Sequence, residues 1–274
     1  MHVISDPGAL PTPAGRRALV PTMGALHPGH VSLIDAAKAQ ADEVVVSIFV
    51  NPTQFNPGED FERYPRTLDH DFQLCEAAGV NYIFSPTVET MYPAGPGAIA
   101  IHVEAVGDRW EGAARPGHFD GVATVVAQLL LAIKPHLAVF SVKDLQQCAV
   151  ISKLVAGLRL GVELFLAPTL REPDGLAMSS RNRYLSTEDR AIAPQLYRAL
   201  IEAKTRLVSD ADTEIETVLR RVTGNLDTRI DVQYLAIVNR ETMEPTIPTD
   251  SFAWLIAAAR LGGTRLIDNI ALRD

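Results

Sequence analysis

The sequence is poor in the residues that build cysteine-based or membrane-embedded structures. Cys75 and Cys148 are the only cysteines in 274 residues, which is too few for a disulfide framework or a four-cysteine zinc site. The longest apolar stretch, residues 122–133, is interrupted by Thr124 and Gln128 and is too short to span a bilayer. These scarcities predict buried free thiols and no transmembrane segment.

Basic residues are also in the minority. The chain has 25 Lys and Arg against 33 Asp and Glu, a formal net charge of −8. A protein that binds nucleic acid by charge alone should be basic, so no nucleic-acid partner is expected. A local cluster of cations can still bind a small anionic substrate. Residues 1–10 contain Asp6 and Pro7 and lack a basic start followed by an apolar run, so we expect no signal peptide, no membrane partner and a cytoplasmic protein.

What the chain does contain is an alternation of strand-like and helix-like segments. Residues 44–50 form a nearly continuous β-branched run, which is typical of a strand buried on both faces of a parallel sheet. Further strands are predicted at residues 18–20, 80–84, 99–103, 136–140 and 162–166, and helices at residues 30–41, 67–78, 121–134 and 144–157. This order predicts an α/β fold with a doubly wound parallel sheet.

The pattern changes after Pro168. Ser186 followed by Asp189 resembles a capping box and predicts a helix that continues to residue 207. A second helix is expected at residues 213–222, followed by strands at residues 232–238 and 252–258. The sequence therefore predicts two domains, residues 1–169 and a small α+β domain of residues 170–274.

Three loops should lie at one rim of the predicted sheet, because ligands of such sheets bind beyond the carboxyl ends of the strands. They span residues 21–30, 51–55 and 141–147. In the first, His27 and His30 stand at a helix start, where main-chain amides and the helix dipole favour an anion. Two imidazoles there could bind phosphate oxygens; alternatively, each packs and makes one hydrogen bond.

The other two loops offer amides and a cation. Asn51 and Gln54 suit a site that recognises hydroxyls and a carboxylate, although a simple proline turn explains them equally well. Lys143 could neutralise phosphate charge, and Gln147, one turn into a helix, could point into the same cleft. A Lys at a helix start opposes the helix dipole, which favours a functional role for it.

Three further stretches could carry chemistry. Residues 178–182 combine two hydroxyls with an Arg and suit polyphosphate binding, or else form a solvated linker. Residues 115–119, with Arg115 and His118, are a weaker candidate. Residues 69–71 could involve a metal but are more typical of a solvated helix face.

Four stretches together resemble the pantoate–β-alanine ligase family, which belongs to the nucleotidyltransferases with a His-x-Gly-His loop. They are PTMGALHPGH (residues 21–30), IFVNPTQF (48–55), KDLQQ (143–147) and REPDGLAMSSRN (171–182). YPRT (64–67) and RPGHF (115–119) also match the family. All six keep the order and spacing of the family and extend over most of the chain.

The resemblance implies a fold and a reaction. Members have a Rossmann-like N-terminal domain and a small C-terminal domain that closes over the site as a lid, and they are usually homodimers. They use ATP and Mg²⁺ in two steps. The carboxylate of (R)-pantoate attacks the α-phosphate and releases pyrophosphate, and the amine of β-alanine then displaces AMP from the pantoyl adenylate to give pantothenate.

The resemblance also implies roles for individual residues. The catalytic groups would be His27, His30 and Lys143, with His30 as proton donor. The ATP site would comprise Met23, Gly24, His27, Gly29, His30, Ser141, Val142, Lys143, Asp144, Leu170, Met178, Ser179, Ser180 and Arg181. Asn51, Gln54, Tyr64 and Gln147 would bind the other substrates, and Asp71 would be a magnesium ligand.

The sequence departs from the family pattern at a few positions. Pro28 stands where Glu is common, Ser141-Val142 replaces Gly-Glu, Leu145 replaces Tyr, and His70 replaces an acid. Two alternative functions therefore stay open. A nucleotidyltransferase with another substrate would lack the amide pair Gln54 and Gln147, so the presence of this pair counts against it. A non-catalytic nucleotide-binding relative is favoured only by the changes at residues 28 and 142, and the intact His27, His30, Lys143 and Arg181 count against it.

Overall fold

The chain folds into two compact units. A computed structural model describes residues 1–209 and 214–273. The first unit comprises Met1–Val142 and Gln146–Pro168, and the second comprises Lys143–Leu145 and the residues from Thr169 onward. Among the described residues, no helix is both long and apolar enough to cross a membrane. The nucleotide-binding role of the first domain and the lid role of the second stay predictions.

A parallel sheet of six strands is the centre of the first unit, and its strand order is β1-β4-β3-β2-β5-β6. Its strands are β1 (His2–Ile4), β2 (Arg17–Thr22), β3 (Glu43–Ile48), β4 (Tyr82–Phe84), β5 (Leu137–Ser141) and β6 (Glu163–Ala167). All neighbouring strands run parallel. This sheet, with helices between its strands, confirms the predicted doubly wound α/β class.

The helices of this part of the chain follow the strands in alternation. They are α1 (Pro28–Lys38), α2 (Leu68–Ala77), α3 (Val88–Met91), α4 (Glu111–Ala114), α5 (His118–Ile133) and α6 (Leu145–Gly157). One face of α1, with Leu33, Ile34 and Ala37, packs into the same core as Val44 and Val46 of β3. Burial of these apolar side chains supplies most of the stabilisation of such a layered fold.

The strand order reverses between β2 and β5. The chain passes from β2 to β3 and β4 on one side and then returns to β5 on the other side. Strands β2 and β5 pair only at Ala18–Leu137 and Leu19–Ala138, although they continue to Thr22 and Ser141. Ligands of doubly wound sheets bind at this point, where the strand order reverses.

The second unit combines an antiparallel sheet with helices. Its sheet has the order β7-β8-β9, formed by β7 (Ile230–Asn239), β8 (Ala253–Leu261) and β9 (Thr264–Ala271), and its helices are α7 (Thr187–Ile192), α8 (Gln195–Ser209) and α9 (Ile215–Gly224). Leu200 of α8 and Leu255 of β8 lie fully buried in its apolar core. This arrangement confirms the predicted small α+β part.

Several predicted elements differ from the structure. Residues 99–103 form no strand; the N–H of Ile101 donates to the hydroxyl of Thr124 at 2.8 Å instead of to a neighbouring strand. Ser186 does cap a helix, but that helix ends at Ile192, because Pro194 lacks the N–H that a continuing helix needs.

Other differences concern short or terminal elements. Strands β1 and β9 were not predicted. Strand β1 has only three residues, and β9 follows β8 in a hairpin; neither segment has a clear alternation of apolar and polar residues. The predicted helix at residues 213–222 corresponds to α9, and its first predicted residue lies outside the described residues.

A buried arginine ties the amino ends of the central strands together. Arg17 and Glu43 are register partners on β2 and β3, and Nε of Arg17 donates to the Glu43 carboxylate. The same guanidinium donates to the main-chain oxygens of Ile133 at 3.1 Å and Pro11 at 2.5 Å. Removing one partner of such a buried pair leaves an uncompensated charge.

We therefore expect Arg17→Met to lower the free energy of unfolding by about 3–5 kcal/mol. Arg16→Met is the matched control, because the Arg16–Glu163 ion pair is largely exposed and should contribute less than about 1 kcal/mol. Urea denaturation followed by circular dichroism measures both changes. Equal losses in the two variants would contradict a special role for the buried pair.

Candidate active site

A tight loop connects β2 to α1 and begins with a glycine that the backbone requires. Thr22 Oγ1 donates to the Ser47 carbonyl at 2.7 Å and accepts from the N–H of Gly24 at 3.1 Å. Gly24 has a φ of 81°, and a Cβ there would lie 3.0 Å from Oδ2 of Asp71. Both the left-handed backbone and the close approach favour glycine at this position.

The carboxylate of Asp71 holds the next two residues of the loop. It is fully buried; Oδ2 accepts from the N–H of Ala25 at 2.9 Å, and Oδ1 accepts from the N–H of Leu26 at 2.8 Å. The Thr67 hydroxyl donates to Oδ1 at 3.1 Å. Ala25 has a φ of 51°, a conformation that costs free energy in a residue with a Cβ. The buried carboxylate therefore stabilises a strained loop by pairing its amides.

His27 and His30 both use Nδ1 to cap α1. Nδ1 of His27 accepts from the N–H of Gly29 at 3.1 Å, and Nδ1 of His30 accepts from the N–H of His27 at 3.3 Å. The ring centroids are 4.1 Å apart. A neutral imidazole that accepts at Nδ1 carries its proton on Nε2. Each histidine thus makes the hydrogen bond expected of a purely structural residue. The same two bonds orient the Nε2–H groups of both rings at the N-terminus of the helix.

Pro28 fits this geometry without strain. It occupies the first helical position of α1 and is exposed. Proline is favoured there because its fixed φ suits the helix and its missing N–H is not needed. The change from the common Glu therefore leaves both histidine caps in place.

Asn51 is buried and fully occupied by contacts within the protein. Its Oδ1 accepts from Thr53 N at 3.2 Å, from Thr53 Oγ1 at 3.0 Å and from the Tyr92 hydroxyl at 2.7 Å. Its Nδ2 donates to Oε1 of Gln54 and to the carbonyl of Gly121, each at 3.1 Å. The structure thus shows that Asn51 supports Gln54, and its predicted contact with substrate stays a prediction.

Gln54 joins the two loops of the predicted rim. Its Oε1 accepts from Asn51, and its Nε2 lies 2.8 Å from Sδ of Met23. Met23, predicted to contact the nucleotide, and Gln54, predicted to bind the other substrates, are therefore neighbours. Tyr64, also predicted at the substrate site, is buried, and its ring packs edge-on against Phe55 at 5.8 Å.

A network of charged side chains lies behind Gln54. Nε of Arg115 donates to Glu59 at 2.7 Å, and the Gln54 carbonyl accepts from Nη2 of Arg115 at 3.2 Å and from Nδ1 of His118 at 2.8 Å. Burial, reinforced by the Arg115 charge, lowers the pKa of His118 to about 4. Burial alone would raise the pKa of Glu59, but the hydrogen bond and charge of Arg115 outweigh it and hold that pKa below its usual value.

Glu59 was not singled out from the sequence. It lies in a loop without a recognisable motif, and only its contact with Arg115 across 56 positions reveals its role.

Lys143 follows the end of β5. Ser141 is the last residue of this strand, and Val142 begins a short 3-10 turn that contains Lys143 and Asp144. The Lys143 ammonium lies 3.2 Å from Oδ1 of Asp144. The main-chain carbonyl of Lys143 accepts from Nδ2 of Asn269 at 2.9 Å. Asp144 therefore supplies a carboxylate partner for Lys143 although Val142 replaces the acid of the family.

The two glutamines that start α6 differ in their surroundings. Gln146 is buried; its Nε2 donates to the carbonyls of Val106 at 2.8 Å and Arg109 at 2.7 Å, and its Oε1 accepts from the N–H of Glu111 at 3.0 Å. Gln147, the predicted substrate residue, is half-buried. Gln146 is thus a structural residue, which leaves Gln147 as the candidate for substrate contact.

The second unit brings its own predicted nucleotide residues together. The N–H of Met178 donates to the Leu170 carbonyl at 3.0 Å. Ser179 caps the 3-10 helix Ser180–Tyr184, and its hydroxyl accepts from the N–H of Arg181 at 3.3 Å. These residues form one local cluster that offers hydroxyls and a guanidinium.

The surroundings of Asp71 in the described part of the chain contain no cluster of metal-binding side chains. Both oxygens of Asp71 accept hydrogen bonds from the loop and from Thr67, and Asp69 and His70 are exposed. Within residues 1–209 and 214–273, no group of three or more His, Cys, Asp or Glu side chains could hold a metal. Asp71 is therefore an anchor of the loop in this structure, and its expected magnesium role stays a prediction.

Asp71→Asn tests the anchor. An amide offers only one acceptor oxygen, so the N–H of Ala25 or of Leu26 would face an NH₂ group and lose its partner, at a cost of about 1–3 kcal/mol. We expect a lower melting temperature and faster hydrogen exchange of these two amides in metal-free buffer with a chelator. Asp69→Asn, an exposed change in the same helical turn, is the control. If the two variants were equally stable and only Asp71→Asn bound Mg²⁺ more weakly, the metal role would be correct.

His118 makes stability depend on pH. Its folded pKa of about 4 lies below the ordinary value of about 6.5, so between these values the unfolded chain binds a proton that the folded protein does not. The free energy of unfolding should therefore fall as pH decreases from about 6.5 to about 4, by at most about 1.4 kcal/mol per pH unit from this group. Glu59, Arg115 and Glu111 are the charged groups that act on it.

The difference between wild type and His118→Asn, measured by denaturation across this pH range, isolates the contribution. His102→Asn is the control, because the effect of His102 on stability should change with pH in the opposite direction. The hydrogen bond and charge of Asp120 raise the pKa of His102, so the stabilisation that His102 contributes is lost as pH rises. A His118→Asn profile parallel to that of wild type would contradict the neutral buried imidazole.

Comparison with known proteins identifies the family of the chain. The sequence model of the pantoate–β-alanine ligase family matches residues 11–271. The pantothenate synthetase of Rhizorhabdus wittichii is 51% identical over 258 residues, 93% of this chain and 90% of the relative. That of Acidothermus cellulolyticus is 48% identical over 267 residues, 94% of this chain and 86% of the relative.

Solved structures agree as well. The structure of pantothenate synthetase from Thermus thermophilus superposes with a TM-score of 0.93 at 45% identity and full coverage of both chains. Pantoate–β-alanine ligase from Francisella tularensis, solved in complex with beta-gamma ATP and β-alanine, gives a TM-score of 0.82 at 33% identity and covers 99% of this chain and 98% of that chain. The chain therefore belongs to the pantoate–β-alanine ligase family.

Proposed function

We propose that the chain ligates (R)-pantoate and β-alanine to pantothenate with ATP as the energy source, through a pantoyl adenylate. The observation that carries this proposal is the pair of imidazoles of His27 and His30, whose Nε2–H donors are fixed at the N-terminus of α1. Their loop contacts Gln54 through Met23 and follows β2, next to which the strand order reverses. ATP and β-alanine are the molecules in the Francisella tularensis complex, which supports them as substrates here.

The first step forms the adenylate. A carboxylate oxygen of pantoate attacks the α-phosphorus of ATP, the bond from that phosphorus to the bridging oxygen breaks, and pyrophosphate leaves. Negative charge grows on the phosphate oxygens, and donors fixed in advance stabilise it without rearranging. We assign this role to the Nε2–H groups of His27 and His30 and to the first amides of α1, with His30 as proton donor.

The second step transfers the acyl group. The amine nitrogen of β-alanine attacks the acyl carbon, the bond from that carbon to the phosphate oxygen breaks, AMP leaves, and the amine loses a proton. Little chemistry is required of the protein beyond orientation of the two reactants. We assign the binding of pantoate to Gln54 and Gln147, since their amides can pair with its hydroxyls and carboxylate, and we keep Tyr64 as a wall of that site.

The remaining cations and hydroxyls are assigned to the nucleotide. Lys143 and Arg181 would contact phosphate oxygens, because ammonium and guanidinium groups are strong donors to phosphate. The other proposed nucleotide contacts come from Met23, Gly24, Gly29, Ser141, Val142, Asp144, Leu170, Met178, Ser179 and Ser180. The part of the chain from residue 170 onward is proposed to act as the lid.

Magnesium is proposed to enter as the MgATP complex. Mg²⁺ usually keeps several waters and is bound through substrate phosphates with one or two carboxylates, not in an all-protein cage. This agrees with the absence of a metal-binding cluster from the described residues. We also propose a homodimer, since β6 is an edge strand with the exposed Leu166, and the cytoplasm as location, since ATP is the substrate.

The products separate this proposal from its alternatives. Protein with MgATP, β-alanine and pantoate labelled with ¹⁸O in its carboxylate should form pantothenate, pyrophosphate and AMP, and one label should move to the phosphate of AMP. Transfer of label to inorganic phosphate with formation of ADP would contradict the adenylate. A different nucleotidyltransferase would release pyrophosphate without pantoate, and a non-catalytic relative would form no product.

A folded His30→Ala variant in the same assay tests the assigned role. Loss of one fixed donor to a developing charge should slow adenylate formation by about 10²–10³-fold. Hydrogen exchange of the α1 amides verifies that the helix start stays folded, since this change also removes a cap. An unchanged rate of adenylate formation would refute the assignment.

A further inference from the structure

The stretch RPGHFDG, residues 115–121, lies directly behind the Gln54 turn and has no part in the proposed reaction. It contributes Arg115 and His118 to the buried network, and it begins α5. Its last glycine is packed against the turn itself: a Cβ on Gly121 would lie 2.3 Å from the carbonyl oxygen of Thr53. Helix α5 thus starts in direct contact with the main chain of the turn Pro52–Gln54.

The protonation of His118 follows from its two neighbours. Nδ1 lies 2.8 Å from the Gln54 carbonyl, which can only accept, so Nδ1 carries the proton. Nε2 lies 3.0 Å from Nη1 of Arg115, which can only donate, so Nε2 accepts. A neutral ring satisfies both contacts, whereas a doubly protonated ring would place two donors face to face.

Arg115 completes the support through all three of its nitrogen positions. Nε and Nη2 both donate to the carboxylate of Glu59, Nη1 donates to His118, and Nη2 also donates to the Gln54 carbonyl at 3.2 Å. Glu59 and the guanidinium are largely buried. Lysine could not reproduce this fork, because it offers one nitrogen instead of three.

The network holds only the main chain of Gln54, while Asn51 and Met23 contact its side chain. We propose that Arg115 and His118 are positioning residues that fix the Gln54 main chain and thereby aim its amide at pantoate, so that they set the affinity for pantoate without touching it. The inference rests on the proposed function, in which Gln54 binds pantoate.

His118→Phe and His118→Asn form the matched test pair. Phenylalanine fills the space but removes the donor to the Gln54 carbonyl, whereas the asparagine side-chain NH₂ can occupy the position of Nδ1–H. We expect His118→Phe to raise the KM for pantoate about tenfold, the usual scale for one lost hydrogen bond, with the KM for ATP unchanged. His118→Asn should recover most of this loss, and His102→Asn, at an exposed histidine that pairs with Asp120 of α5, should change neither constant.

A double-mutant cycle shows whether His118 acts through Gln54. Gln54→Ala should itself raise the KM for pantoate, and His118→Phe should have little further effect in that background, because the amide it positions is gone. Circular dichroism and the ATP KM verify that each variant is folded.

Three results would overturn the proposal: an unchanged pantoate KM in folded His118→Phe, equal rises for pantoate and ATP, or additive effects in the cycle. If Gln54→Ala left the pantoate KM unchanged, the assigned role of Gln54 would fail together with this inference. A wild-type protein without pantoate-dependent AMP formation would instead overturn the proposed function itself.

Discussion

The carboxylate of Asp71 is the buried charge around which the loop after β2 is built. A carboxylate without solvent needs donors, and the loop supplies the amides of Ala25 and Leu26. In return, the carboxylate holds Gly24 and Ala25 in left-handed conformations that an isolated chain would rarely adopt. The loop then delivers His27 to the start of α1 in the orientation that caps the helix. The direction of both Nε2–H donors therefore depends on one buried carboxylate.

The same design recurs in the turn after the neighbouring strand β3. Gln54 is held at its amide by Asn51 and at its carbonyl by His118 and Arg115. In both places, buried side chains hold the main chain next to a group that is proposed to bind substrate: Asp71 holds the histidine loop, and His118 and Arg115 hold Gln54. Such support matters because catalytic groups must be fixed to within a fraction of an ångström before the substrates arrive. It also explains why Pro28 and Val142 can differ from the family without removing a proposed contact.

Much of the fold could be predicted from the sequence, because the β-branched run of β3 and the alternation of strands and helices are local signals. The positions of the histidine loop and of the Gln54 turn followed from the rule for parallel sheets. The partners of these residues could not be predicted. The contacts of Asp71 with the loop amides and of Asn51 with Tyr92 and Gln54 carry no signal in the sequence, because a sequence shows residue types but not which atoms they pair with. Glu59 carried no signal at all, and Pro194 was not recognised as the end of a helix.

The tautomers of His27 and His30 test the central claim most directly. Nitrogen-15 NMR of the histidine rings in the ligand-free protein, in mildly alkaline solution, distinguishes a protonated Nε2 from a protonated Nδ1. The account predicts that both rings carry the proton on Nε2, because Nδ1 of each accepts a main-chain N–H. Rings protonated at Nδ1, or exchanging between the two forms as in a free histidine, would contradict it.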